Sequence, residues 1–106
     1  MEVKVIVRGV EFPSSVRAYA RRRVETGLRR YAARILTATV RLTDETGPRK
    51  EKVDKICAID LKLRTKNIRV KEVSADFRTS ISLALNRIRA TLGRSIGKSK
   101  RGIGAG

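Results

Sequence analysis

The sequence predicts a two-layer α/β sandwich, with two helices on one face of a four-stranded mixed sheet in the order β-α-β-β-β-α. Three observations carry this. Four short segments alternate apolar and polar residues with period two, and two longer ones repeat apolar residues at three- and four-residue steps. A length of 106 residues suits one domain with a real core and is too short for two. An apolar share of 41% is too high for a disordered basic tail.

The first strand covers residues 2–8, with Val3, Val5 and Val7 on one side, Lys4, Ile6 and Arg8 on the other, and Gly9 at its end. Ser14 or Ser15, after Phe12-Pro13, is positioned to cap a helix. Its apolar stripe reads Val16, Tyr19, Ala20, Val24, Leu28, Tyr31 and Ile35, about six helical turns. Gly27 lies near the stripe at a cost of about 1 kcal/mol against Ala, which a close approach to the sheet would explain. Alternation returns with Ala38, Val40 and Leu42 inward and Thr39, Arg41 and Thr43 outward. Asp44-Glu45-Thr46-Gly47-Pro48 opens a long polar loop that runs to Lys55. The third strand, Ile56 to Arg64, points Cys57, Ile59, Leu61 and Leu63 inward, and Thr65-Lys66-Asn67 connects it to a more polar fourth strand at 68–74. Asp76 caps a second helix whose stripe is Phe77, Ile81, Ala84, Leu85, Ile88, Leu92 and Ile96. Gly97 is its expected stop, giving one domain over 1–97 and a flexible, basic, glycine-rich tail over 98–106.

Strand, helix, strand predicts a right-handed crossover with the first two strands parallel. Short links then predict an antiparallel meander, and the single apolar stripe of each helix places both on one sheet face, a dsRBD-like arrangement.

Charge narrows the function. Twenty-six Lys and Arg stand against ten acids, a net +16 with no histidine. Such a surface calls for a polyanion, and a phosphate backbone is the most abundant one in a cell. Without imidazole there is no side chain whose ordinary pKa lies near neutrality, and the commonest metal ligand is missing, so no catalytic or metal site and no cofactor is expected. The lone Cys57 reads as a core thiol, and one cysteine forms no internal disulfide. Tyr19 and Tyr31 read as core, and Asp44-Glu45 as turn residues. The N-terminus alternates and carries Glu2 and Lys4, unlike a signal peptide, and no apolar run approaches the roughly 20 residues a bilayer needs. A soluble cytoplasmic chain with no membrane partner and no small-molecule substrate is therefore expected.

Within the helices the positive charge has few acidic neighbours. Glu25 is the only acid of the first helix, and none follows Asp76. Like charges one turn apart repel, so an external partner should offset them. The expected RNA-binding residues are Arg21, Arg22, Arg29 and Arg30 on the first helix, Arg78, Arg87, Arg89 and Arg94 on the second, and Lys98, Lys100 and Arg101 beyond it. Arginine grips phosphate bidentately and stacks on bases. No major-groove reader and no aromatic stacking sheet is visible, which favours backbone and shape recognition of folded RNA.

Several runs resemble a known family. Arg34-Ile35, then Val40-Arg41-Leu42-Thr43-Asp44-Glu45-Thr46-Gly47, Asp54-Lys55-Ile56-Cys57, and Ala75-Asp76-Phe77 leading to Ile81 are similar to the short form of the ribosome hibernation promoting factor and ribosome-associated inhibitor A (S30EA) family. The resemblance covers about Met1 to Ile96. It implies a non-catalytic binder of the small ribosomal subunit and its rRNA, monomeric off the ribosome. Such a binder occupies the decoding region, blocks mRNA and tRNA there, and silences ribosomes in stress or stationary phase. The chain departs from the family pattern where Val24 and Gly27 replace a lysine spacing, where Ser82 replaces a common acid, and in its ending KSKRGIGAG. As a short-form relative it is expected to be without the extra C-terminal domain with which long members pair ribosomes. From composition alone, a constitutive ribosomal protein or a non-specific RNA- or DNA-binding protein stays open.

Overall fold

A computed structural model describes residues 1–45 and 54–105, with side chains through Ser95. The elements are β1 (Glu2–Arg8), α1 (Pro13–Gly27), a 3-10 segment (Arg29–Arg34), β2 (Ile35–Asp44), β3 (Lys55–Leu63), β4 (Asn67–Ser74) and α2 (Phe77–Ala105). The sheet order is β1-β2-β3-β4, with β1 and β2 parallel and the other two pairs antiparallel, as the crossover and the short links predict.

Register aligns the inward residues into rows across the sheet. Val5 pairs with Val40, Val40 with Ile59 and Ile59 with Val70. Val3, Ala38, Leu61 and Ile68 form the next row, and all eight are buried. Ala20, Val24 and Leu28 from the first helical region and Ile81, Ala84, Leu85, Ile88 and Leu92 from α2 close the core over them. Each fully buried aliphatic side chain contributes about 1.5–3 kcal/mol, so the matched stripes of sheet and helices hold the two layers together.

Three helix boundaries differ from the sequence expectation. Neither Ser14 nor Ser15 caps α1: Phe12 is the N-cap, without a side-chain hydrogen bond, and Pro13 takes the first turn. Proline's fixed φ suits that position, and its missing N–H is not needed there. The stripe from Val16 to Ile35 is not one helix, because α1 ends at Gly27 and the 3-10 segment carries the chain to Ile35, which already belongs to β2. Three-residue 3-10 steps keep Leu28 and Tyr31 against the core, so periodicity alone does not reveal the break. Finally, α2 continues past Gly97 to Ala105. A glycine weakens a helix without forcing a stop when helix-compatible residues follow.

Asp76 caps α2 as expected. Its Oδ1 accepts the Thr79 backbone N–H at 2.8 Å and its Oδ2 the Thr79 hydroxyl at 3.0 Å. Those bonds, the backbone one first, hold the Asp76 carboxyl below its ordinary pKa. Gly27 does mark a close approach, but to α2 and not to the sheet: a Cβ there would stand 3.3 Å from Leu85 Cδ2. Gly9 turns out of β1 at φ +67°, and a Cβ would meet the Asp44 carbonyl oxygen at 2.7 Å.

Candidate nucleic-acid interface

Contacts between the helices run in step along the chain. The Arg78 guanidinium lies 5.4 Å from the Tyr19 ring centroid, Arg23 Nη2 donates to Ser82 Oγ at 3.3 Å, and Gly27 abuts Leu85. Rising residue numbers on both sides make α1 and α2 a parallel pair, side by side on the sheet.

This packing fixes where each arginine points. With Ala20 and Val24 inward, helical periodicity puts Arg22 opposite the core, facing away from the sheet. Arg21 turns toward β1, and its Nη1 donates to the Val3 carbonyl at 2.9 Å. Arg29 and Arg30 are exposed on the 3-10 segment, beyond α1 rather than in its last turn. On α2, Arg78 and Arg89 lie eleven residues apart, three turns on one flank, and that flank faces α1. Arg87 takes the other flank, where its Nη1 meets Glu72 Oε1 of β4 at 3.1 Å. Arg94 Nη2 donates to Thr91 Oγ1 at 3.4 Å. Lys98, Lys100 and Arg101 fall on the continuing helix, and their side chains lie outside the described residues.

The eleven expected residues therefore divide. Arg22, Arg29, Arg30 and Arg89 are exposed and, among the described residues, have no acidic partner. Arg89 lies on the flank of α2 that faces α1, Arg22 points outward from the crest of α1, and Arg29 and Arg30 stand beyond its end. From Thr79 to Ala90 the ridge of α2 farthest from the sheet is uncharged, formed by Thr79, Leu83, Asn86 and Ala90, so there the charge sits on the flanks of α2. Exposed guanidinium groups without ion pairs, spread over the helix layer, suit contacts to a phosphate backbone. Arg21 and Arg87 already serve the fold through their bonds to β1 and β4.

Three features escaped the sequence reading. Arg23 is half-buried and bridges the helices, with its Nε buried and unpartnered. Arg21 secures an edge strand. Lys55 is not a loop cation but the first residue of β3, and its Nζ donates to Asp44 Oδ1 and Asp54 Oδ1, both at 3.0 Å. Only a one-to-one Asp44–Lys55 register across the polar loop brings these groups together, and no local pattern signals it. Asp54, in the first place, and Asp44 raise the Lys55 pKa above its ordinary value, with burial opposing them in part. Cys57 is a core thiol as expected, fully buried and pushed up to about 12 by desolvation, so it stays protonated at neutral pH. Among the described residues no group of three His, Cys, Asp or Glu side chains is placed to hold a metal ion, and no helix is long and apolar enough to cross a membrane.

The family profile for Sigma 54 modulation protein / S30EA ribosomal protein matches residues 3–100. The chain belongs to that family. Its fold is similar to the crystal structure of the Thermus thermophilus Protein Y N-terminal domain, with a TM-score of 0.70 and 25% identity over 89% of this chain and 98% of that one. A ribosomal subunit interface protein from Coxiella burnetii shares the fold at a TM-score of 0.72, covering 92% of this chain and 99% of that one at 17% identity. Comparison with curated proteins finds no match. As an S30EA-family member the chain is a ribosome-associated factor. The Asp44–Lys55–Asp54 clasp gives a structural reason for two of the runs that carry the resemblance, since it ties their ends together.

Proposed function

We propose that this chain is a hibernation-type translation inhibitor, acting in the cytoplasm on the small ribosomal subunit. Residues 1–97 are its binding unit. Its helix layer seats on rRNA at the decoding region and excludes mRNA and tRNA, with no chemical step. One observation carries the reading: Arg22, Arg29, Arg30 and Arg89 stand exposed on the helix layer, and none forms a described ion pair. Unpaired guanidinium groups raise the energy of the free protein, and phosphates relieve it. The Coxiella relative's designation as a ribosomal subunit interface protein supports the same place of action.

Sedimentation of ribosomes from growing and starved cells, probed for this protein, tests the reading. A hibernation factor travels with ribosomes from starved cells and leaves when growth resumes. Equal occupancy in both states would make it a constitutive ribosomal component instead. Purified protein at saturating occupancy should stop cell-free translation and compete with tRNA for the small subunit.

A further inference from the structure

A second basic site lies away from the helix trough, at the end of the sheet where the β3–β4 turn meets α2. Ala33, Arg34, Leu36, Leu63, Arg64, Thr65, Lys66 and Ser95 line an open cleft of about 550 Å³. That is the size of a small-molecule site and far more room than one phosphate needs. Its three cations have no described acidic partner, and no carboxylate lines the cleft.

The backbone is shaped around it. Pairing of β2 with β3 shifts between Ile35 and Thr37, a bulge that leaves Leu36 half exposed instead of burying it. Bulges re-aim side chains at sites. The turn that carries Arg64 and Lys66 is closed by the Leu63 N–H donating to the Lys66 carbonyl at 2.9 Å, and the Lys66 ammonium is held by the Ser95 hydroxyl of α2. Arg34 enters from the end of the 3-10 segment. Three cations from two separate pieces of backbone, the β3–β4 turn and the end of the 3-10 segment, thus line one volume beside Leu36, Leu63 and Ala33.

We propose that this cleft binds a nucleoside phosphate, with the phosphate on Arg34, Arg64 and Lys66 and the base or ribose against Leu36 and Leu63. Guanidinium groups match phosphate oxygens and stack on base planes, and the partly exposed leucines offer the nucleoside an apolar surface to cover. The inference goes beyond the ribosomal reading and does not rest on it. The ligand's source is either a free nucleotide or an unpaired nucleotide of RNA.

Full-length protein with labelled leucine methyls is titrated with ATP, adenosine and inorganic phosphate at about 150 mM salt, where loose surface attraction is screened. The expected result is saturable ATP shifts at Leu36 and Leu63, at least about tenfold tighter than either adenosine or phosphate alone. Arg34→Gln/Arg64→Gln should weaken ATP by about tenfold or more, while the charge-matched Arg8→Gln/Lys71→Gln on the open sheet face should change it by less than about threefold. Equal weakening by both pairs, or shifts that bypass Leu36 and Leu63, would overturn the proposal. A hairpin RNA with one unpaired nucleotide then identifies the source. Displacement of ATP from Leu36 by that RNA assigns the cleft to an RNA nucleotide, and retention of ATP assigns it to a free one. Either result supports the proposal. Ribosome binding by the unaltered protein is measured in parallel, so its failure would count against the ribosomal reading and leave the ATP result standing.

Discussion

Lys55 Nζ sits between two carboxylates, one of them on the buried Asp54. Lys55→Gln removes the two charge-assisted bonds from Lys55 Nζ, and the expected loss is about 1–3 kcal/mol, read as a lower Tm or denaturation midpoint. A raised lysine pKa stabilises the fold below the unfolded value of 10.5 and stops doing so as pH climbs through the folded value. The gap between wild type and Lys55→Gln should therefore hold at neutral pH and shrink above about pH 10.5. A gap that persists unchanged there would show that Lys55 acts through packing. Arg23 offers the converse case, with a buried Nε and only a hydroxyl partner in Ser82. Ser82→Glu places a carboxylate within reach and should raise stability by about 1 kcal/mol, and an unchanged Tm would refute the pairing. Little of this was legible in the sequence. Asp76 was, because a cap is a local bond between neighbours, whereas the Lys55 clasp and the Arg21–Val3 bond join residues that only the fold brings close.

At the scale of elements, strands were easier to read than helix ends. β-branched alternation gives each strand face directly, and the rows from Val3 to Ile68 and from Val5 to Val70 follow from it. Helical spacing is less exclusive, since Leu28, Tyr31 and Ile35 keep three- and four-residue steps through a 3-10 segment and into a strand. The same uncertainty spreads to the site, because Arg29 and Arg30 sit on that segment and not on α1. A comparison of two sets of charges tests the helix layer. Arg22, Arg29, Arg30 and Arg89→Gln should keep the fold, since all four are exposed and none forms a described ion pair. Binding to small subunits should weaken by about 2 kcal/mol or more in total. The same change in charge at Lys4, Arg8, Lys62 and Lys71, on the opposite sheet face, should cost much less. Equal losses would leave only general basicity as the basis of binding. The loop cations are a poor control: Lys55 is structural, and Arg49, Lys50 and Lys52 lie outside the described residues.

For the whole molecule the deciding quantity is the net charge of +16. If the helix layer neutralises six to ten phosphates, subunit affinity should fall by about 10³–10⁵ between about 50 and 200 mM salt. A nearly flat salt response would remove phosphate contacts as the source of affinity. Composition revealed this much before any fold was known, because a charge excess needs no coordinates. It did not reveal that the excess is divided among the helix layer, an end cleft and an open sheet face, or that Asp60 tempers the last by pairing with Arg69 at 2.8 Å and Arg41 at 4.0 Å.

The four-stranded sheet leaves β1 and β4 without an outer neighbour. Free strand edges are templates on which a second copy can grow. Here one β1 carbonyl is held by Arg21, Lys4 and Arg8 project from the same strand, and Arg69 and Lys71 project from β4. Two copies approaching edge to edge therefore bring like charges together, which opposes polymerisation through the strand edges. That protection lasts only while the charge is unscreened. Near the ratio at which an added polyanion cancels the positive charge, light scattering should rise sharply, and it should fall again when either component is in excess.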